Sequence, residues 1–525
     1  MPPADGTTVG IDLGTTRTAV AHVTRGTPTL LANAGGYELT PSVVHVPRDG
    51  PALVGREASD RLLMQPERTI AEVKRHIGEE TELRLGQSTY RPEELSALIL
   101  EKVFDDATDR IDTTVEKAVI TVPAYFTGRQ RTATRNAGEI AGLHVDQLLP
   151  EPSAAVLAYG YQQRKLGEVA DETLLVYDLG GGTFDATLVE AEYEHNYIET
   201  VFTEGDSGLG GHDWTAEVAA WVADEIRADT GIDVTSESAD ADQRNRIRSA
   251  AREAKHDLVD QQKTVVNIPY VVPEENYHFE RTLNRAQFQA MTEHLLAETR
   301  RTIETVFNQT EYTTAAVDTV LLVGGASRMP QVEAMLRPQF GMTPSREVHP
   351  DHAVAMGAAV QAAVLDDSVT DTGGMLSSTT SDSGGPPGSI VLVDVLPQTL
   401  GVELENGQFS PIIEQGVQLP TTVRKEIFQT VDPDQTAVEW PIRQGESPQA
   451  VDSDLLGTVW IRDIPPRDPD QDSLAIEFTM TSDGTLQVEV EDLITGRLVD
   501  ATVESGIRLS DDEITEISTG LPGVE

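Results

Sequence analysis

Two short stretches of this chain repeat one design, and that repeat limits the fold more than any other feature. In the first, Val9-Gly10-Ile11-Asp12-Leu13-Gly14-Thr15-Thr16, an apolar run ends in an Asp, a Gly turn and two hydroxyl residues, and Ala19, Val20 and Val23 mark a returning strand. In the second, Leu174-Leu175-Val176-Tyr177-Asp178-Leu179-Gly180-Gly181-Gly182-Thr183-Phe184-Asp185, the same order recurs and Ala186–Val189 returns. Short continuous apolar runs bounded by Gly turns read as strands buried on both faces. A Gly-rich turn at the end of each lets backbone N–H groups approach phosphate oxygens closely and point at them. The Asp carboxylates would repel phosphate directly, so they need Mg²⁺, often reached through its waters. One such hairpin fits an ordinary Gly turn equally well. Two in register, about 165 residues apart, imply a duplicated fold that clamps one nucleotide between its halves.

A third element follows in order. Leu321-Leu322-Val323-Gly324-Gly325-Ala326-Ser327-Arg328-Met329-Pro330 reads as strand, Gly-Gly turn and helix. Gly-Gly admits a flat ring or a ribose against the backbone, and Arg328 is placed to stack on a base. Two other nucleotide-binding designs are excluded. The chain has no Gly-x-x-x-x-Gly-Lys-Ser/Thr loop, and none of its Gly turns carries the dinucleotide-binding fingerprint.

At 525 residues the chain exceeds one hydrophobic core and divides into domains. Its 39 basic and 87 acidic residues give a net charge of −48, which disfavours nucleic acid and anionic membranes as partners. The deficit is dispersed, with −24 over residues 1–365 and −20 over residues 390–525. Only seven of the basic residues are Lys. A dispersed acidic excess with little Lys suits a protein that stays soluble in very high salt, and we expect a salt-accumulating halophile as its source. The lack of Cys excludes disulfides, thiolate zinc sites and Cys nucleophiles. The N-terminal residues carry no signal-peptide pattern and no apolar run approaches a membrane span. The expectation is a cytoplasmic, monomeric protein.

One compositional break stands out. Residues 366–389 are rich in Gly, Ser, Thr and Asp, the composition of a flexible linker. Before the break, apolar strands alternate with helical patterns, giving an α/β domain over residues 1–365. After it the pattern is strands alone. Leu474, Ile476, Phe478 and Met480 alternate with polar residues, Ser482-Asp483-Gly484 turns, and Leu486, Val488 and Val490 alternate again. An antiparallel β-sandwich is expected over residues 394–509. Ser510-Asp511-Asp512-Glu513 is a capping-box signature, and Gly520 and Pro522 stop the short helix it opens within residues 510–525.

The order of motifs resembles that of the DnaK-type, seventy-kilodalton heat-shock chaperone family over nearly the whole length. The matching runs are Gly10-Ile-Asp-Leu-Gly-Thr-Thr16, Val73-Lys-Arg-His-Ile-Gly78, Val119-Ile-Thr-Val-Pro-Ala-Tyr-Phe126 and Glu151-Pro-Ser-Ala-Ala155. They continue through Asp178–Asp185, Gly205-Asp-Ser-Gly-Leu-Gly-Gly211, Val323-Gly-Gly325, Pro350–Val360 and Asp394-Val-Leu-Pro-Gln-Thr-Leu-Gly401. The resemblance implies an α/β actin-like ATPase domain of two duplicated lobes, followed by an all-β sandwich that binds substrate. It implies slow hydrolysis of ATP to ADP and phosphate with Mg²⁺, and K⁺ as a further candidate ion. Unfolded or extended polypeptide segments would be clients, and a J-domain co-chaperone and a nucleotide-exchange factor would be partners. A role in stress response belongs to the same inference.

Residue roles follow from the matched positions. Lys74 corresponds to the lysine that positions the attacking water and neutralises γ-phosphate charge. Asp12, Glu151 and Asp178 would hold the Mg²⁺ hydration shell, and Thr183 reaches toward the γ-phosphate. Gly14, Thr15, Thr16, Gly180, Gly181 and Gly182 line the phosphates. Gly210 and Gly211 open a helix near Asp213 whose N-terminus would face phosphate. Lys255, Gly324, Gly325, Arg328 and Asp351 complete the nucleotide site. Pro123 and Arg131 match a relay reporting nucleotide state to an apolar linker strand, residues 390–393 with Val391, Leu392 and Val393, closed by Asp394. Val402, Phe428, Val431 and Val438 match the peptide groove, although an ordinary sandwich core explains them equally well.

The departures are specific. Arg252 and Val259 stand where the family has Glu and Ser near adenine, His256 stands beside the retained Lys255, and Pro150 replaces an Asn. Arg252 and Val259 predict weakened base recognition. Glu405 falls where an apolar residue is expected over the groove, and Trp440-Pro441 interrupts an aliphatic strand. The linker is longer than the family's, and only residues 511–519 match its helical lid, so peptide residence would be short. Two other readings stay open: an ATP-switched scaffold or regulator with one dedicated partner, and a small-molecule kinase of the actin-like superfold.

Overall fold

The strand Thr7–Leu13 and the strand Arg17–Thr24 pair antiparallel, with Asp12 opposite Ala19. Val9, Ile11 and Leu13 are buried. The strand Val115–Val122 joins the first of them in parallel, and the consecutive residues Thr8–Ile11 and Ala118–Val122 are buried on both faces. These features come from a computed structural model that describes residues 7–111, 113–167, 170–235, 241–366, 390–404, 406–428, 437–462, 474–499, 501–504 and 509–524. The expected linker, apart from Asp366, therefore lies outside the described residues, as do Glu405 and Val431.

The chain repeats one pattern. His144–Pro150, Val115–Val122, Thr7–Leu13, Arg17–Thr24 and Thr27–Leu30 follow one another across one six-stranded sheet. Thr319–Val323, Glu172–Leu179, Phe184–Glu192 and Tyr197–Asp206 follow one another across another. In each, an antiparallel meander of three strands is flanked by a strand running parallel to its first member. Each sheet has its own apolar core. A third core, built on the helices Glu151–Leu166 and Ala353–Leu365, ties the two together.

Residues 394–504 contribute a five-stranded and a four-stranded sheet, almost wholly antiparallel, whose inner faces share one core. Leu474–Met480 pairs with Leu486–Asp492 across a turn containing Gly484 at φ +76°. Leu474, Ile476, Phe478 and Met480 all point into that core. Pro441 sits in the strand Val438–Gln444, opposite Thr458 of the strand Asp454–Ile461 on one side. The ladder toward Leu400–Glu403 begins only at Ile442, one residue later.

The strand Val391–Val395 joins the two parts of the molecule. It adds in parallel to the edge strand Tyr197–Asp206, pairing Leu392 with Ile198, and its far end pairs Asp394 with Leu419 of the β-rich part. Ile390 and Leu392 pack on the third core. The helix Gly128–Ile140 makes further contacts, as does Gln415, whose Nε2 donates to Glu204 Oε2 at 3.3 Å. Gly128 N donates to Gln444 Oε1 at 3.0 Å, Arg129 NH1 to the Leu455 carbonyl at 2.9 Å, and Arg135 NH2 to Asp483 Oδ2 at 2.6 Å.

Ser510 and Glu513 form the capping box of the helix Asp511–Gly520. Ile514 and Ile517 of this helix, with Leu521 and Val524 beyond it, pack against the core of the first sheet. No helix among the described residues is long and apolar enough to cross a membrane.

Candidate active site

The two hairpins open into one cleft of about 380 Å³, within the range of small-molecule and cofactor sites. Asp12, Gly14, Thr15 and Thr16 line it from the first hairpin, and Asp178, Gly180, Gly181 and Thr183 from the second. The loops meet face to face. A Cβ at Gly181 would collide with Thr16 Oγ1, so a larger residue would force the hairpins apart. Gly182 packs against Thr15 and Gly210 behind that contact.

The helix Gly211–Thr230 begins two residues before Asp213, with Gly210 as its cap. Its first N–H groups are already engaged. Gly211 N donates to the Gly180 carbonyl at 2.9 Å and His212 N to the Gly181 carbonyl at 2.8 Å. This helix end braces the second Gly loop from behind.

Long-range packing brings in the remaining polar groups. Glu151 opens its helix directly after the strand that ends in Pro150. Lys74 lies in the short turn Val73–His76, and its Nζ donates to Glu151 Oε1 at 2.6 Å. The same ammonium lies 5.4 Å from the centroid of the Phe126 ring. Both side chains are buried. Asp12 Oδ1 accepts from Thr121 Oγ1 at 3.4 Å.

Asp185 belongs to this cluster and was not among the sequence candidates. The hairpin register places it directly opposite Asp178. The signal was available: a strand pair closed by residues 180–183 must oppose positions 178 and 185. Like charges across a ladder are destabilising, and here the cost is visible. Burial and then the charge of Glu151 push the Asp12 and Asp185 carboxyls up to about 7. Asp178 is held well above the usual carboxylate range by burial, then by Glu151, Asp185 and Asp12. Asp178 Oδ2 and Asp185 Oδ2 have no hydrogen-bond partner among the described residues.

Buried carboxylates left this way call for a cation. Among the described residues no three His, Asp or Glu side chains converge to ligate a metal directly. The arrangement fits a hydrated ion, and Mg²⁺ keeps several of its waters in such sites.

The cleft also has a cationic wall. Lys255, His256, Val259, Gly324, Gly325, Arg328 and Asp351 line it. Gly324 adopts φ +78°, and a Cβ there would meet the Leu179 carbonyl, so the turn after Thr319–Val323 requires glycine. Buried Lys255 donates to the Gly211 carbonyl, and its ammonium is pushed down to about 8 by burial and then by Arg252. Burial, then Lys255, push His256 down to about 4. Arg328 pairs with Asp351. Arg252 NH2 lies 3.2 Å from Glu72 Oε1, across the cleft, and His212 Nδ1 lies 2.7 Å from the other oxygen of Glu72.

Pro123 and Arg131 lie off the cleft, at its junction with the β-rich part. Arg131 is buried and donates to the carbonyls of Ala124 and Phe126 at 3.1 and 3.2 Å. Its guanidinium is 4.0 Å from Asp394 of the joining strand. Asp185 accepts from the backbone N–H groups of Tyr125 and Ala124, so the Ala124–Phe126 segment touches the carboxylate cluster and Arg131 at once. In the β-rich part, Val402 and Val438 are buried in the shared core. Phe428 closes the strand Thr421–Phe428, paired with Leu474; its side chain and Val431 lie outside the described residues.

A family profile described as Hsp70 protein matches residues 8–84 and 80–520. The chaperone protein DnaK of Halobacterium salinarum is 40% identical over 512 residues, covering 97% of this chain and 77% of that protein. DnaK of Thermotoga petrophila is 39% identical over 511 residues (96% and 82%), and that of Thermus thermophilus 38% over 535 residues (97% and 82%). The chain belongs to the Hsp70 family.

Proposed function

We propose that this chain is an ATP-dependent chaperone that hydrolyses ATP in the cleft and couples nucleotide state to polypeptide binding in its β-rich part. The observation that carries the reading is the convergence of Lys74, Glu151, Asp12 and Asp178 between two Gly-rich hairpins, in a chain of this family. Residues 1–365 form an actin-like nucleotide domain, residues 366–393 the linker, residues 394–509 a substrate-binding β-sandwich and residues 510–525 the start of a lid helix. Asp12, Glu151 and Asp178 would hold the waters of Mg²⁺, which when bound would supply positive charge to the phosphates. Lys74, fixed by Glu151 and the Phe126 ring, orients the attacking water and neutralises charge developing on the γ-phosphate. Thr183 donates to a γ-phosphate oxygen. Little covalent chemistry is asked of the protein, and the rate rests on positioning and charge neutralisation.

The route from the cleft to the sandwich runs through contiguous contacts: Asp185 to the Ala124–Tyr125 backbone, that segment to Arg131, and Arg131 to Asp394. Clients are extended apolar segments, with a J-domain co-chaperone and a nucleotide-exchange factor as partners, in the cytoplasm. Single-turnover hydrolysis in molar KCl, with and without an apolar peptide, tests the reading. We expect phosphate release without any acceptor and a changed rate when peptide is present. Release that needs a small-molecule acceptor would favour a kinase, and indifference to every apolar peptide would leave a scaffold with one dedicated partner.

A further inference from the structure

In a chain of net charge −48, five nitrogenous side chains line one wall of the cleft, close enough to influence one another's protonation: Arg17, Arg252, Lys255, His256 and Arg328. Their carboxylate partners are fewer. Glu72 is shared between Arg252 and His212, and Asp351 serves Arg328. Arg17 and Lys255 make no ion pair among the described residues; Lys255 has only the Gly211 carbonyl. Asp260 also lines this wall, without an ion pair among the described residues. The cations feel one another. Lys255, Arg17, Arg252 and Arg328 all contribute to the depression of His256, Arg252 and Arg17 to that of Lys255, and Arg17 to that of Arg328.

Lys255 and Arg328 stand among the residues expected to hold a nucleoside di- or triphosphate, whereas Arg17 and Arg252 are positive charge beyond that set. On the reading above the nucleotide's phosphates would sit between the Gly loops and Lys74, and its sugar, toward the Gly324–Gly325 turn, would offer only neutral hydroxyls. A phosphate ester on one of those hydroxyls would bring a charge of about −1.5 to −2 and three acceptor oxygens to the cationic wall. Arg252 sits one helical turn before Lys255 and His256, so the two basic residues share one helix face. Its guanidinium uses NH2 on Glu72 and has further N–H donors for an anion.

We propose that the sugar end of this cleft is a second phosphate subsite, and that the chain binds adenine nucleotides phosphorylated on a ribose hydroxyl in preference to ADP. Arg17, Arg252 and Lys255 are its ligands. The proposal rests on the nucleotide-binding reading above. Calorimetric titration of the full chain in molar KCl with Mg²⁺ tests it, using ADP, adenosine 3′-phosphate 5′-diphosphate and the 2′-phosphate isomer. One isomer should bind roughly tenfold tighter than ADP. In the double variant Arg17→Ala, Arg252→Ala the ratio of the two constants should fall to about one, whatever happens to ADP itself. If ADP binds and neither isomer binds more tightly, or if the double variant keeps the preference, the subsite is overturned and the nucleotide site stands. If ADP fails to bind as well, both readings fall.

Discussion

The two Gly-rich hairpins share a backbone design, yet their chemistry differs at one position. In the first, Asp12 faces Ala19; in the second, Asp178 faces Asp185. The first hairpin therefore carries one carboxylate at this position, and the second carries a pair that burial and the charge of Glu151, with that of Asp185 acting on Asp178, leave poorly satisfied. The extra carboxylate is also the one that reaches the Ala124–Tyr125 backbone, and through it the surroundings of Arg131 and Asp394. Duplication supplies two Gly-rich turns that face each other across the cleft. Asymmetry between the copies supplies a contact leading out of it.

The largest expected effect comes from the group both hairpins surround. Lys74→Ala removes the ammonium that balances Glu151, and single-turnover hydrolysis should fall by about 10²- to 10³-fold, the scale on which a transition-state charge stabiliser acts. ADP binding, read by calorimetry, should persist. Near-normal turnover would remove Lys74 from the reaction and leave the hairpins as a binding site only.

The asymmetry itself is broken next, at its distant end. Leu392→Asp places a charge where a half-buried apolar residue packs between the edge strand and the third core. Half-burying a Leu side chain is worth about 1 kcal/mol, and the cost of desolvating the new carboxylate adds to it, so that together they exceed the 1.4 kcal/mol of a tenfold change in an equilibrium. Amide exchange in Tyr197–Glu199, the partners of this strand, should accelerate at least tenfold while exchange in the first hairpin is unchanged. Equal acceleration in both hairpins would mean that the joining strand does not single out the second.

These two tests touch residues of unequal legibility. The hairpins were readable because strand, turn and carboxylate lie within a dozen consecutive residues, and turn chemistry and apolar runs are local signals. Lys74 and Glu151 are 77 positions apart, and Arg252 and Glu72 are 180. No periodicity encodes such pairs; a resemblance pointed to the first and nothing pointed to the second. Strand alternation located Leu474–Met480 correctly, since that strand has one buried face. Alternation alone does not say whether Val402 and Val438 face a groove or the opposite sheet. Tertiary packing decides that, and here both side chains lie in the shared core.

The carboxylate pair gives a prediction in pH. A carboxyl whose folded-state value is raised binds its proton more tightly in the native state than in the unfolded chain. The stability associated with that proton is present below the unfolded value near 4 and is lost as pH rises toward about 7. Without nucleotide and Mg²⁺, the apparent melting temperature should therefore fall between pH 5 and pH 7. Asp185→Asn should flatten that fall and raise the value near pH 8 by about 2–4 °C, while Asp12→Asn tests the first hairpin's contribution from its single carboxylate. A steeper fall in the Asp185 variant would contradict the assigned repulsion between the two strands.

The smallest effect is expected where the β-rich part meets the nucleotide part through charge alone. Arg135 and Asp483 form a 2.6 Å pair with about a quarter of each side chain exposed, and exposed pairs contribute only about 0.2–1 kcal/mol. Arg135 also donates to the Val145 carbonyl at 2.7 Å, so Arg135→Ala would confound docking with local packing; Asp483→Asn is the cleaner change. The amide retains the turn contacts to Thr481 and Thr485 and removes the charge. Amide protection across Val391–Val393 should drop by about two- to fivefold and drop less as KCl is raised, because screening already weakens the pair in the parent chain. A loss as large as that of Leu392→Asp would mean that this ion pair, and not the added strand, holds the two parts together.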